Sequence, residues 1–168
     1  CAMALLPELA DASFVEVGDF TGAALRQAAR GRIGRIVFAG MAGKLSKLAG
    51  GVLMTHYTRS KVPVRLLADV TSAAGGTPEL ADAVEAANTA RHAFELWQEA
   101  GIAHAAGRGL CRRTAEVLAR FCEGLGGYAP RIEVIMVDFD GKRMIASFPE
   151  HVPGLGGMPG AGDPPGGG

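Results

Sequence analysis

The run Arg35–Ala39 (Arg-Ile-Val-Phe-Ala) limits the possible folds of this chain more than any other segment. It is short, apolar and β-branched, the pattern of a strand covered on both faces. A glycine turn, Gly40-Met-Ala-Gly43, follows it, and Lys44–Met54 then has helical patterning despite Gly50 and Gly51 near its end. Upstream, Ser13–Val17 alternates apolar and polar residues as a short strand does. Thr21–Arg30 is an Ala- and Leu-rich helix that Gly31 is placed to end. Strand, helix, strand, helix at these lengths is a βαβα unit. A hairpin cannot join parallel strands, so the unit implies a parallel sheet with right-handed crossovers.

Downstream, Val64–Ala74 reads as an amphipathic helix closed by Gly75-Gly76. Thr77-Pro78 restarts the chain, with Thr as N-cap and Pro in the first helical position. Helical patterning continues through Ala100 with a break near Asn88, and Gly107–Glu123 is a further helix. Arg131–Phe139 is strand-like, Asp140-Gly141 is a two-residue hairpin turn, and Lys142–Phe148 returns. The expected class is α/β, a Rossmann-like parallel sheet flanked by helices and ending in an antiparallel hairpin. The chain opens on Cys1 rather than Met, inside a helical pattern over Cys1–Ala10, so upstream sequence with at least one more strand is expected to be missing.

At 168 residues the chain can bury one real core. Residues 1–149 are read as that domain, and residues 150–168, crowded with Gly and Pro, as a disordered tail too poor in apolar surface to order itself. No segment has the roughly 20 apolar residues of a membrane span, and no signal segment opens the chain, so the expected location is cytoplasmic. Cys111 and Cys122 stand eleven residues apart, roughly 16 Å along a helix and too far for a disulfide, so reduced structural thiols are expected.

Net charge is zero, yet the charges are segregated. Phe20 through Ala68 contains no Asp or Glu but carries Arg26, Arg30, Arg32, Arg35, Lys44, Lys47, Arg59, Lys61 and Arg65. Such a window speaks for an anionic ligand, and equally for solvated helix faces. Gly40-Met-Ala-Gly43-Lys44-Leu45 resembles a broken phosphate loop: the glycine spacer is short, and Leu45 stands where a magnesium-holding hydroxyl belongs. Its context still suits an anion, because a strand hands over to a helix N-terminus and Lys44 and Lys47 share a face. The alternative is a tight turn with solvated lysines. Glu16, Gly18 and Asp19 end the preceding strand on the same sheet edge, where an acid commonly holds ribose hydroxyls; Asp19 could instead cap a helix.

Thr55-His56-Tyr57-Thr58-Arg59-Ser60-Lys61 concentrates hydroxyls, an imidazole and cations suited to carboxylates or phosphates. Asn88-Thr89-Ala90-Arg91-His92 is a second polar cluster, either a site or a plain helix cap. No histidines or cysteines have metal-ligand spacing, so no protein-bound metal is expected. Gly124-Leu-Gly126-Gly-Tyr-Ala129 fits a dinucleotide pattern but follows a helix and precedes a strand, the reverse of the required order.

Read together, Phe14-Val-Glu-Val-Gly-Asp-Phe-Thr-Gly22, Gly40-Met-Ala-Gly-Lys-Leu-Ser-Lys-Leu-Ala-Gly50, Thr55-His-Tyr-Thr-Arg-Ser-Lys61, Asn88-Thr-Ala-Arg-His92 and Val134-Ile-Met-Val-Asp-Phe139 resemble one family. It is that of the cobalt-precorrin-5B C1-methyltransferases of anaerobic cobalamin biosynthesis. The resemblance implies methyl transfer from S-adenosylmethionine to ring carbon C1 of a cobalt-bearing tetrapyrrole, with the metal belonging to the substrate. It implies a longer parent with an amino-terminal domain and a glycine-rich donor segment that this chain lacks. Donor binding falls to Glu16, Gly18 and Asp19. Substrate binding falls to Gly40, Gly43, Lys44, Lys47, Thr55, Arg59, Ser60, Asn88 and Arg91. His56 is the residue for a general base. Pro63 departs from the family, where an Asp is expected after Ser-Lys-Val. The rival expectations are a non-catalytic nucleotide or nucleic-acid module using the basic window, and an inactive fragment of the methyltransferase. Only Phe20, Phe38 and Tyr57 are aromatic in that window, few for a nucleic-acid groove.

Overall fold

The computed structural model describes residues 6–18, 20–53 and 63–155. Helix α1 (Thr21–Arg30) leads to strand β1 (Arg35–Met41), and helix α2 (Ala42–Ala49) follows without a loop. Helices α3 (Val64–Ala73), α4 (Pro78–Glu85), α5 (Ala90–Glu99) and α6 (Ala103–Glu123) come next, then strands β2 (Arg131–Val137) and β3 (Met144–Phe148). β1 and β2 pair in parallel, from Arg35 opposite Arg131 to Met41 opposite Val137. β3 pairs antiparallel with β2, so the order is β1-β2-β3. The sheet is mixed, with one parallel pair among the described residues, and everything from α2 to α6 serves as its crossover.

Strand alternation sorts the side chains. Phe38, Val134 and Met136 join Leu25, Leu45, Leu67, Val84, Trp97 and Leu110, from all six helices, in one core. The alternate residues Val37, Ala39, Ile135 and Val137 meet a thinner cover of Leu6, Phe14, Val152 and Leu155. A Rossmann-like sheet would carry helices on both faces; here the described helices gather on one. Trp97 is fully buried because its indole N–H has a partner: it donates to Thr71 Oγ1 at 2.7 Å, and that hydroxyl donates to the Leu67 carbonyl at 2.8 Å.

Several expectations are corrected. Ser13–Val17 is no strand: Asp11–Ser13 forms one 3-10 turn and residues 14–17 pair with no described strand. Phe14 packs with the thin cover and Val17 with the helix-side core, so this segment passes from one face to the other instead of running along a neighbour. The βαβα unit therefore lacks its first strand here. The described part of Cys1–Ala10, residues 6–10, is turn and bend, since Leu6 is drawn onto the sheet and Pro7 lacks an N–H. Gly40–Gly43 is no turn: β1 runs to Met41, which caps α2 in extended conformation. α2 stops at Ala49, short of Met54, where Gly50 and the left-handed Gly51 end it. α6 starts at Ala103, four residues before the expected Gly107. The hairpin connection is longer than two residues, because Val137 pairs with Met144 and the Asp138 carboxylate accepts the Lys142 and Arg143 amides at 2.8 and 3.2 Å.

At the amino end of the parallel pair, Glu133 is wholly buried. Arg35 grips one of its oxygens through Nε at 3.0 Å and Nη2 at 2.7 Å, and Arg131 Nε lies 2.6 Å from the other. Arg35 also donates to the Pro153 carbonyl at 2.7 Å, and Val152 is buried, so residues 150–155, placed in the tail by composition, pack on the sheet. The rest of the tail, residues 156–168, lies outside the described residues.

Gly107 sets how closely α6 approaches the sheet. A Cβ there would lie 2.7 Å from Met136 Cε and 3.0 Å from Ala146 Cβ. Gly107→Val is therefore expected to cost about 1–3 kcal/mol of stability. A urea titration would show it as a lower midpoint at unchanged slope, whereas an unchanged midpoint would mean that helix and sheet do not touch there.

Candidate functional site

Parallel pairing sends the carboxyl ends of β1 and β2 to the same rim, the usual ligand side of an open α/β sheet. α2 starts there directly after Met41, and the loop after Val137 leaves from the same edge. Gly43, in the first turn of α2, faces the first residue of α5: a Cβ on Gly43 would sit 3.7 Å from Ala90 Cβ. The starts of the two helices thus meet, with Lys44 and Arg91 each the next residue along. Thr89 caps α5 by accepting the His92 amide at 3.1 Å, so the second polar cluster does serve as a cap.

Two cations are held in place at this rim. Lys44 donates through Nζ to the carbonyl of Gly18, which turns with φ of 43°. The Arg91 guanidinium lies 5.1 Å from the centre of the Phe139 ring and bonds Glu95 Oε1 at 3.0 Å. Phe139 in turn packs edge-to-face on Phe94, centroids 5.6 Å apart. A guanidinium resting on an aromatic face keeps its outer N–H groups turned outward, a posture suited to a carboxylate.

Of the expected site residues, the fold brings Gly18, Gly40, Gly43, Lys44 and Arg91 to this rim. Gly40 sits inside β1, where a Cβ would come to 3.4 Å from the Leu45 and Phe38 side chains. Lys47 lies one turn further along α2 and is half-buried. Glu16 and Asn88 are exposed. Asp19, Thr55, His56, Arg59 and Ser60 lie outside the described residues. The basic window is not one patch: Arg35 is spent on Glu133 at the opposite end of the strands, and Arg26 lies 6.0 Å from the Phe121 ring. Phe139 received no role from the sequence. The available signal was an aromatic just past the carboxyl end of a strand, but only the fold puts Arg91 on top of it.

A cavity of about 220 Å³ opens elsewhere, between α3 and α6, lined by Val70, Ala74, Arg108, Gly109, Arg112 and Phe148. It is smaller than ordinary cofactor pockets and contains none of the expected site residues. No group of three or more His, Cys, Asp or Glu side chains among the described residues could hold a metal ion, and no described helix is long and apolar enough to cross a membrane.

Fold and rim together define a mixed α/β domain with cations fixed at the carboxyl end of its parallel strands. Comparison with known proteins gives the family. The family model described as CbiD, C-terminal domain, matches residues 54–148, and the chain belongs to this family. A relative from Salinispora arenicola, named cobalt-precorrin-5B C(1)-methyltransferase, is 58% identical over 146 residues, 87% of this chain and 37% of the relative. Relatives of the same name from Rubrobacter xylanophilus and Leptospira borgpetersenii are 54% and 38% identical over 88% and 83% of the chain. The chain spans little more than a third of the length of these relatives, 37% in each case. No solved structure matches it.

Cys111 and Cys122 are buried and unbridged, and burial pushes the Cys111 thiol up to about 12. A thiol so raised stays protonated at neutral pH and is a poor nucleophile. In the folded chain, neither is expected to react with iodoacetamide at mildly alkaline pH, and both should react in denaturant. Peptide mapping that finds either one labelled under native conditions would contradict the packing of α6.

Proposed function

We propose that this chain is the carboxyl-terminal part of an S-adenosylmethionine-dependent methyltransferase that acts on carbon C1 of cobalt-precorrin-5B in anaerobic cobalamin biosynthesis. The observation that carries the reading is the rim, where Lys44 and Arg91 are fixed at the meeting of two helix starts. The names of the relatives supply the chemistry: a cobalt-precorrin carries acetate and propionate carboxylates around its ring, and cations at a helix start favour such groups. Gly40 and Gly43 belong to the same rim, and Lys47, one turn beyond Lys44, and Asn88, just ahead of the Thr89 cap, are assigned to the substrate with them. Thr55, Arg59 and Ser60 are assigned as further donors to the substrate, and His56 as the base.

S-adenosylmethionine would supply the methyl group on a sulfonium, an electrophile that needs no metal held by the protein. The residues described fit this donor in part. Glu16 presents an exposed carboxylate of the kind that meets ribose hydroxyls, while Gly18 commits its carbonyl to Lys44. Asp19 is assigned beside them. The protein's contribution is then alignment: fixed cations hold the ring by its rim of carboxylates while the reacting carbon faces the methyl group. The cobalt travels with the substrate. The cytoplasm, where buried thiols such as Cys111 and Cys122 stay reduced, is the proposed setting. A nucleic-acid module has less support, because Phe38 is buried and Arg35 faces Glu133.

Two measurements test the reading. S-adenosylhomocysteine titrated into the polypeptide extended to the relatives' full length is expected to give binding heat, and none at millimolar ligand would remove the donor assignment. Replacing Lys44 and Lys47 with Ala is expected to weaken corrinoid binding about 10-fold, the worth of two partly exposed ion pairs, and to flatten its salt dependence. Equal affinity for wild type and variant at every salt concentration would rule out the cationic rim.

A further inference from the structure

Among the described residues, β1 is an edge strand with no strand paired to its outer side. The Arg131 amide donates to the Gly34 carbonyl at 2.9 Å, and in a parallel ladder this fixes the phase of all the bonds that follow. The backbone groups of Ile36, Phe38 and Gly40 point to β2, and those of Arg35, Val37 and Ala39 point away. No described residue bonds the outward groups. β1 also has only Phe38 buried, whereas β3, at the other edge, buries its three central residues.

Natural edges are blunted by Lys, Pro or a bulge. β1 (Arg-Ile-Val-Phe-Ala-Gly-Met) has none of these, and its one charge, Arg35, is turned onto the sheet face to meet Glu133. Among the described residues, the large exposed hydrophobic side chains are Leu9, Val15, Phe20, Ile33 and Met41. All five precede α2, and Ile33 and Met41 bracket β1 directly. Exposed apolar side chains at both ends of an open strand mark a surface that something covers.

We propose that the open edge of β1 receives an extended apolar segment, as a fourth strand, from the part of the family's polypeptide outside the region this chain matches. Two observations favour this occupant. The matched region is 37% of the 58%-identical relative, so most of that polypeptide lies elsewhere, and the matching family model is of a carboxyl-terminal domain. The segment must be apolar on both sides, because beside Ile36 and Phe38 it joins the helix-side core and beside Val37 and Ala39 the opposite cluster. Main-chain bonds give such an added strand its affinity, and its alternating side chains give it register. The inference rests on family membership and is independent of the methyltransferase reading.

The test compares this chain alone with the same chain substituted for the matched region of the full-length Salinispora arenicola relative. In the long form, the amides of Val37 and Ala39 are expected to exchange hydrogen at least about 100-fold more slowly than in the chain alone. Val37→Pro removes an outward N–H and no bond to β2. It is expected to lower the unfolding midpoint of the long form by more than that of the chain alone, where only the packing of Val37 on the thin cover changes. Ile33→Lys, a change at an exposed side chain, gives the same contrast without touching the backbone. Equal exchange in the two forms overturns the proposal, as do equal effects of both variants in the two forms. Slow exchange in the chain alone, rising with a concentration-dependent dimer, also overturns it by giving the edge to a second copy. If the chimera does not fold, exchange at the aligned strand of the unaltered relative decides in its place.

Discussion

The parallel pairing of Arg35–Met41 with Arg131–Val137 is the constraint on which the rest of the structure depends. Two parallel neighbours cannot be joined by a turn, so nearly ninety residues must climb back between them, about the length of five packed helices. Those helices have one large apolar surface to cover, and they cover it with Leu45, Leu67, Trp97 and Leu110. The same pairing decides where chemistry can occur. Both carboxyl ends face one rim, so the start of α2 and the loop holding Phe139 become neighbours although almost a hundred residues separate them.

The two ends of this strand pair have opposite characters. At the amino end a buried carboxylate is surrounded by two arginines, and charge serves to hold strands and the following segment together. At the carboxyl end Lys44 is held by the Gly18 carbonyl, and Arg91 by a ring and the exposed Glu95, a looser environment in which the guanidinium stays near water. Charge that is buried and matched mainly supports structure. Charge that is positioned but still solvated is available for recognition. The division explains why the acid-free window of the sequence is not one surface.

Local features were legible in the sequence, and long-range ones were not. α1 spans the expected residues because composition and Gly31 define it locally, and Thr77-Pro78 starts α4 as a cap followed by a pre-set φ should. The strands Arg35–Met41 and Arg131–Val137 were visible as apolar runs. Ser13–Val17 misled because period-2 alternation also fits a segment that has one apolar residue on each side of a sheet. Nothing near Arg35 announces Glu133, 98 positions away, or the Pro153 carbonyl, 118 away. For the same reason composition could assign Val152 to a tail, while the fold gives it a place on the sheet. Of the candidate rim, Lys44 and Arg91 could be named from their motifs; that the helices carrying them start together depends on Gly43 meeting Ala90.

The absent side chain at Gly107 has an evolutionary corollary. Because the long helix lies against Met136 and Ala146 with no room for even a methyl group, these three positions share a single volume. Among homologues, a larger residue at the helix position should be found only where one of the strand partners has shrunk. The three sites should therefore drift as a set, and a pair-wise signal there would register contact distance and carry no information about catalysis.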